Sequence, residues 1–216
     1  MARTLPPSAS VAQPQIGVKL FAPAAARNAE VLLTLLRDHA PHRGTALEIA
    51  SGTGQHVSTF AAGLPDLNWH PTEVDPARCA SIDAYVADAE VSNVAPALLL
   101  DATSPGWGRA HHPKDLILLV NLLHLISGSE ARILISEAAK ALAPEGQFIL
   151  YGPFKRSGTL TSAGDQKFDA ELRAADPDIG YKDDLDIAAL LRNAELTQIS
   201  TIEMPANNLA FTARKP

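Results

Sequence analysis

The sequence contains a single cysteine, Cys79, among its 216 residues. One thiol cannot form an internal disulfide or a multi-cysteine metal site. Positive charge is also sparse: lysine and arginine never form a run longer than two, and the formal net charge is -6. Nucleic-acid binding requires concentrated positive charge, so we expect no nucleic-acid partner.

Long apolar runs are absent as well. The best of them, residues 116–126, is interrupted by Asn121 and His124 and falls short of the ~18 residues that a membrane span requires. Residues 1–16 are rich in proline, serine and alanine without a signal-peptide core, so we expect a disordered lead-in before one domain over residues 17–216. The composition predicts a cytoplasmic protein without membrane contact, and leaves the oligomeric state open.

Strand and helix patterns alternate five times after the lead-in. Alternation of this kind predicts right-handed crossovers and a parallel sheet with helices on both faces. The five strands are expected at residues 45–50, 68–74, 94–103, 115–121 and 147–154, and the main helices at 24–39, 55–64, 76–90, 129–146 and 183–195. In the fourth helix, Ser129 is the expected N-cap and Gly146 follows the end.

Two adjacent strands, 196–205 and 208–215, close the order as an antiparallel hairpin. The pattern predicts the class I methyltransferase (Rossmann-like) fold, a seven-stranded, mostly parallel α/β sheet with a C-terminal antiparallel hairpin. Ligands of such open sheets bind at the carboxyl ends of the strands, near the point where the strand order reverses.

A glycine turn follows the first of these strands, in "EIASGTGQH" (48–56). Gly52 and Gly54 permit close backbone approach to a ligand and positive φ. Glu73 and Asp75 lie 19 and 21 residues after Gly54, the spacing at which a carboxylate takes both hydroxyls of a ribose. Asp75 is the preferred ribose ligand because it precedes Pro76 at the strand end, although strand alternation puts both acids on one face.

Other ligands suit the turn less well. A dinucleotide fingerprint wants a small third residue where this chain has Val57, and a phosphate loop wants a Gly-Lys-Ser/Thr sequence that is missing here. Glu48 would repel a phosphate, yet it suits the ammonium or sulfonium of S-adenosylmethionine (SAM). The turn therefore favours a cationic nucleoside; closing a strand-to-helix connection is the structural alternative.

Several motifs together resemble the domain of unknown function 938 family, of the methyltransferase-like 26 type. They are "RNAEVLL" (27–33), "LEIASGTGQHV" (47–57), "LPDLNWHPTEVD" (64–75), "SIDAY" (81–85), "YGPFKRSGTLTS" (151–162), "FDAELR" (168–173) and "MPANNLAF" (204–211). The resemblance extends from Lys19 to the C-terminus and implies a SAM-dependent methyltransferase whose acceptor it does not supply. The chain departs from the family pattern at Gly128-Ser129, at Gly164-Asp165 and over residues 179–183, all on the substrate side.

These observations define two sets of candidate residues. The cofactor set comprises Arg27, Glu48, Ala50, Ser51, Gly52, Gly54, His56, Glu73, Asp75, Asp101, Ala102 and Asn121. Within it, Asp101 is the candidate for binding adenine, and Arg27 and His56 are the candidates for binding the SAM carboxylate. The acceptor set comprises Asn121, His124, Tyr151, Phe154, Asn207 and Asn208.

Roles within the acceptor set have alternatives. His124 and Tyr151 are the catalytic candidates; His124 is a base, an acceptor-binding donor or a packed helix-face histidine. Tyr151 and Phe154 line the acceptor pocket or belong to the core, and Asn207-Asn208 reach the acceptor or form a hairpin turn. We expect no metal, because His111-His112 have no matched acid or cysteine nearby.

The sequence thus predicts a SAM-dependent methyltransferase acting on an unidentified small molecule. A non-catalytic SAM-binding module is one alternative, since methyl transfer imposes no fixed catalytic residues. An NAD-type oxidoreductase is the other, which Val57 and Glu48 argue against.

Overall fold

The computed structural model describes residues 5–216, which form a three-layer α/β arrangement. The helices are α1 (Pro23–His39), α2 (Gln55–Gly63), α3 (Pro76–Asp88), α4 (Trp107–Ala110), α5 (Gly128–Ala141), α6 (Ala163–Ala175) and α7 (Asp184–Asn193), with a 3-10 turn at Leu123–Leu125. The strands are β1 (Gln13–Pro14), β2 (Leu20–Phe21), β3 (Gly44–Ile49), β4 (Leu67–Glu73), β5 (Leu98–Leu99), β6 (Lys114–Val120), β7 (Leu142–Lys155), β8 (Lys182–Asp183), β9 (Thr197–Met204) and β10 (Asn208–Arg214).

The main sheet has the order β5-β4-β3-β6-β7-β10-β9. Strands β3 to β7 pair in parallel, while β10 runs antiparallel to β7 and to β9. The predicted fold class, with its parallel sheet and C-terminal hairpin, is confirmed. The two-residue strand β8, which pairs with β7, is an addition to the seven predicted strands.

The central strands β3 and β6 are buried on both faces, as interior parallel strands must be. Successive side chains alternate between two core clusters: Leu116 and Leu118 pack towards α1 and α2, whereas Ile117 and Leu119 pack towards α5 and α7. The chain leaves β3 towards β4 and β5 on one side and returns through β6 on the other. The strand order therefore reverses between β3 and β6.

Three local expectations need correction. The predicted strand 94–103 is reduced to β5 and an isolated bridge from Val94 to Trp69, because Pro96 cannot donate to the ladder and Leu98 and Leu99 lie exposed at the sheet edge. Helix α5 begins after Ser127, not Ser129: the Ser127 hydroxyl accepts from the Glu130 N–H while the Glu130 carboxylate accepts from the Ser127 N–H. The helix ends at Ala141, and Gly146 lies inside β7.

Helix α6 was not expected from the sequence. Ser162 caps it by accepting from the Asp165 N–H. Its buried face carries Asp165 and Asp169 together with Leu172, so the helix lacks the apolar periodicity by which an amphipathic helix is recognised.

Residues 5–16 of the predicted lead-in form contacts with the rest of the chain; residues 1–4 lie outside the described part, and the disorder of the segment stays a prediction. Strand β1 pairs with β2, and Ala9 is buried against a small cluster at the end of α6. The Ser8 hydroxyl donates to Glu171 of α6, and Arg78 of α3 donates to the Ser10 carbonyl. These tertiary contacts have no counterpart in local composition.

Replacing Ser127 by Ala removes the N-cap acceptor of α5. We expect the free energy of unfolding to fall by about 1 kcal/mol, the usual effect of losing a serine cap. Ser129→Ala is the matched control, since its hydroxyl lies 3.0 Å from that of Ser127 but is not the cap. Urea unfolding followed by circular dichroism measures both, and equal losses would contradict the assignment of the cap.

Candidate active site

A cavity of about 620 Å³ opens at the carboxyl ends of the parallel strands, where the strand order reverses. Its walls come from the segments that follow β3, β4 and β6, from the end of β7 and from the start of α1. Segments from α6, from the loop before β8 and from the β9–β10 turn complete it. This is the position at which open α/β sheets bind ligands.

The glycine turn lies at one end of this cavity. Ala50, Ser51 and Gly52 line it, and Ala50 and Gly52 have φ values of 53° and 65°. A Cβ on Gly52 would meet only the Arg78 guanidinium, at 3.8 Å, so the backbone is open to a ligand there. The predicted closeness of the turn to a ligand site therefore has a structural basis at Gly52.

Gly54 has a different role from the one predicted. It has φ 98° and begins α2, and a Cβ on it would lie 2.6 Å from the Ile82 Cα in α3. Gly54 does not line the cavity. The glycine is needed for close packing of the turn against α3, which is the structural alternative considered for this pair.

The two acids at the end of β4 have different surroundings. The Glu73 side chain lines the cavity, where its carboxylate accepts from the Val74 N–H at 2.6 Å and lies 3.8 Å from Arg78. Burial raises the pKa of Glu73, and Arg78 and the neighbouring N–H groups partly offset this. Asp75, the preferred ribose ligand, is exposed, caps α3 by accepting from the Ala77 N–H, and does not line the cavity, so its role as ribose ligand stays a prediction.

Glu48 is buried in β3 and lies below the cavity rather than on its wall. Both carboxylate oxygens lack a hydrogen-bond partner in the described part of the chain. Burial, together with the nearby Glu73 carboxylate, raises the pKa of Glu48 to about 8, against a smaller lowering effect of the neighbouring Ser51 side chain. An orphaned carboxyl here costs free energy, and such groups call for an explanation by strain, catalysis, or a missing water or ion.

Asp101 and Ala102 follow β5 at the neighbouring strand end, outside the cavity wall. The Asp101 carboxylate accepts from the Thr103 N–H and hydroxyl and from the Ser104 hydroxyl. Partial burial acts to raise the pKa of Asp101, but these hydrogen bonds lower it overall. The Ala102 carbonyl accepts from Trp107 Nε1. Adenine recognition by these two residues stays a prediction.

Arg27 and His56 line the cavity from the starts of α1 and α2. His56 stacks on Phe60, with ring centroids 5.3 Å apart, and its Nε2 lies 2.8 Å from the Asn28 amide. Burial lowers the pKa of His56 to about 4, so the ring is neutral near pH 7.

The structure brings Asn121, His124, Tyr151 and Asn208 to the same cavity. Asn121, at φ 56°, donates from its N–H to the Tyr151 carbonyl across the ends of β6 and β7. Burial, followed by the charge of Lys182, lowers the pKa of His124 to about 3. A neutral imidazole of this kind donates or accepts a hydrogen bond but is a weak proton acceptor.

Two members of the acceptor set lie elsewhere. Phe154 is a core residue that packs edge-on against Phe211 of the neighbouring strand β10 at 5.1 Å, on the face of the sheet covered by α5 and α7. Asn207, at φ 60°, forms part of the hairpin turn and donates to the Asp165 carboxylate at 3.2 Å. Neither lines the cavity, and both match the structural alternatives considered for them, a core residue and a hairpin turn.

Sequence reasoning missed Asn28, Arg78, Phe168 and Tyr181, all of which line the cavity. Asn28 follows Arg27 in a motif singled out above, and its contact with His56 could not be foreseen without the packing of α1 on α2. Phe168 and Tyr181 belong to the unrecognised helix α6 and the loop after it.

Within residues 5–216, no group of three or more His, Cys, Asp or Glu side chains is placed to hold a metal ion. No helix of this part of the chain is long and apolar enough to cross a membrane.

Comparison with known proteins identifies the family and the fold. The family described as "Protein of unknown function (DUF938)" matches residues 19–215, and the chain belongs to this family. Among similar solved structures is an O-methyltransferase family protein from Burkholderia thailandensis, with a TM-score of 0.76 and 16% identity over 89% of this chain. The mitomycin 7-O-methyltransferase MmcR has a TM-score of 0.73 and 16% identity over 89%.

Human N-acetylserotonin methyltransferase, solved in complex with SAM, has a TM-score of 0.70 and 14% identity over 89% of this chain. This chain covers 57%, 54% and 52% of the three chains respectively. At these low identities the structural likeness shows the fold alone, which is the class I methyltransferase fold.

The orphaned Glu48 carboxyl makes stability depend on pH. Its folded-state pKa of about 8 exceeds the ordinary 4.5, so the folded state binds more protons across that window and stability falls as pH rises through it. Glu48→Gln removes this linkage. As pH rises between these two pKa values, we expect the free energy of unfolding of the variant to increase relative to that of the original protein, with a slope approaching about 1.4 kcal/mol per pH unit.

Urea unfolding of both proteins at pH 5, 6.5 and 8 measures this difference. Both proteins contain His56 and His124, so the effect of their titration on stability cancels in the difference. A difference independent of pH would contradict the protonated state of Glu48.

Proposed function

We propose that this DUF938 protein is a SAM-dependent methyltransferase that acts on a small molecule. The observation that carries the proposal is the pair formed by Glu73 and the open turn at Gly52, which lie side by side at the ends of β4 and β3 on one cavity wall. A carboxylate at the end of the second parallel strand, beside a glycine turn at the end of the first, is the arrangement that holds a ribose in such sheets.

The residues present fit the rest of that cofactor. The Glu73 carboxylate would accept hydrogen bonds from both ribose hydroxyls of SAM. The backbone at Ser51 and Gly52 would approach the amino-acid portion of SAM closely. Glu48 supplies a negative charge, once ionised, below the position of the ammonium group. Arg27 and His56 offer donors to the carboxylate, and Asp101 an acceptor to the adenine amino group.

When bound, SAM would supply an electrophilic methyl group on a sulfonium, whose bonding electron pair would return to sulfur on transfer, and an acceptor that carries a proton would release it to water. The protein's contribution is position and exclusion of water, which together account for much of such rate enhancements. Asn121 and Tyr151, at the ends of β6 and β7, hold the acceptor against the cofactor end. His124 binds the acceptor by a hydrogen bond in its neutral form.

The oxidoreductase alternative has less support. Val57 occupies the position at which a dinucleotide fingerprint needs a small residue, and its side chain is fully buried. The carboxyl groups of Glu73 and Glu48 also lie near the turn, where a carboxylate would repel the phosphates of a dinucleotide.

Glu73→Gln should weaken SAM binding by about 10- to 100-fold, the effect of losing charged hydrogen bonds to the ribose hydroxyls. Asp75→Asn is the matched control, since asparagine caps a helix as well as aspartate does, and we expect its affinity to stay within about twofold. Isothermal titration with SAM, S-adenosylhomocysteine and NAD measures all three ligands. Loss of SAM binding in Asp75→Asn with retention in Glu73→Gln would reverse the assignment.

Catalysis is separated from mere binding by supplying SAM labelled in its methyl group together with a small-molecule extract of cells. We expect label in the small-molecule fraction, at a rate reduced at least about tenfold in Glu73→Gln. SAM binding without any transfer would favour the non-catalytic module instead. Binding of NAD in place of SAM would overturn the proposal.

A further inference from the structure

Three rings form one wall of the cavity at the end away from the glycine turn. We call this surface the aromatic wall; it consists of His124, Phe168 and Tyr181. The ring centroids lie 5.7 Å apart for His124 and Phe168, 6.2 Å for His124 and Tyr181, and 6.1 Å for Phe168 and Tyr181. All three pairs are edge-on, which is a favoured geometry for aromatic contacts.

The aromatic wall is held from behind by Asp165. Its carboxylate accepts from the Tyr181 hydroxyl at 3.1 Å, from the Ser162 hydroxyl at 2.7 Å and from the Asn207 amide at 3.2 Å. The Asp165 carboxylate does not line the cavity, and its hydrogen bonds tie the loop before β8 to α6 and to the β9–β10 turn. The ring of Tyr181 is thereby fixed in place while the negative charge stays outside the site.

Formal charge is confined to the other end. The charged side chains on the cavity wall are Arg27, Glu73 and Arg78, which belong to α1 and to the segments around the glycine turn. The cations that follow β7 point elsewhere: Arg156 pairs with Glu203, and Arg173 pairs with Asp169. Lys167 is 81% exposed. Lys182 is near enough for its charge to lower the pKa of His124, but its ammonium donates to the Ile126 and Gly180 carbonyls and does not line the cavity. Among residues 5–216, no cation lines the cavity beside the aromatic wall.

His124 provides the polar group of this end. The residue is 7% exposed and lines the cavity, with its ring edge-on to Phe168 and Tyr181. A neutral imidazole has one nitrogen that donates and one that accepts, so a ligand in the cavity can form a hydrogen bond with it. The acceptor end therefore combines ring surface, a wall without charged side chains, and neutral hydrogen-bonding groups that include His124 and Asn121.

We propose that the methyl acceptor is an uncharged aromatic small molecule that packs its ring against the aromatic wall and hydrogen-bonds to His124. The inference rests on the proposed function for the identity of the reaction, but the selectivity of this surface is independent of it. A cationic acceptor is disfavoured because the nearest carboxylate, Asp165, is already satisfied by hydrogen bonds behind the wall.

Four probes with one skeleton test this selectivity: benzyl alcohol, benzoate, benzylamine in its ammonium form and cyclohexylmethanol. Ligand-observed NMR titrations at pH 7.5 measure each affinity with and without S-adenosylhomocysteine. We expect benzyl alcohol to bind most tightly, both charged probes to bind at least about tenfold more weakly, and cyclohexylmethanol about three- to tenfold more weakly. Equal or tighter binding of any of these three overturns the proposal, as does absence of binding by all four.

Phe168→Leu locates the probe on the aromatic wall, since leucine retains apolar volume without a ring. We expect the affinity for benzyl alcohol to fall about three- to tenfold, with cyclohexylmethanol and S-adenosylhomocysteine unchanged. Lys167→Gln, an exposed neighbour on the same helix, is the control and should change none of them. An unaltered preference for the aromatic probe in Phe168→Leu would overturn the assignment of this surface. Failure of S-adenosylhomocysteine to bind would instead contradict the proposed function, while the order among the probes still decides the acceptor class.

Discussion

The constraint on which the site depends is the burial of β3 between two parallel neighbours, β4 and β6. Because both edges of β3 are paired and both of its faces are covered, its polar side chains can lie only at its carboxyl end or inside the core. The turn at Ala50–Gly54 emerges there, pressed against α3 by the contact between Gly54 and Ile82. Because the chain moves to β4 on one side and returns through β6 on the other, this point also opens the crevice that the cavity fills.

Charge is distributed unevenly along that crevice. Glu73, Arg78 and Arg27 lie around the turn, and the buried Glu48 carboxyl lies beneath it. The opposite end has rings and neutral hydrogen-bonding groups, with the Asp165 carboxylate kept outside the cavity. A cationic nucleoside and an uncharged acceptor would each meet the end whose electrostatics suit it, and the low charge of the acceptor end lessens competition for the cofactor's ammonium.

The acceptor end is assembled from segments that are distant in sequence. Asp165 links α6, the loop before β8 and the β9–β10 turn, while residues 5–16 reach across from Arg78 in α3 to Glu171 in α6. Each contact is a hydrogen bond formed by a side chain between elements that are far apart in sequence, so the shape of this end of the cavity depends on several segments outside the central sheet.

The sequence by itself determined the alternation of elements, the parallel sheet with its terminal hairpin, and the glycine turn with an acid at the next strand end. These depend on periodicity and on spacing along the chain, which are local properties. Whether Glu73 or Asp75 faces the cavity depended on where β4 ends and α3 begins, and Asp75 became a helix cap. Phe154 lies in the core because α5 and α7 cover its face of the sheet, and Tyr181 reached the cavity because Asp165 holds it there. Only the tertiary structure decided these, since a side chain's surroundings are set by elements far away in sequence that pack against it.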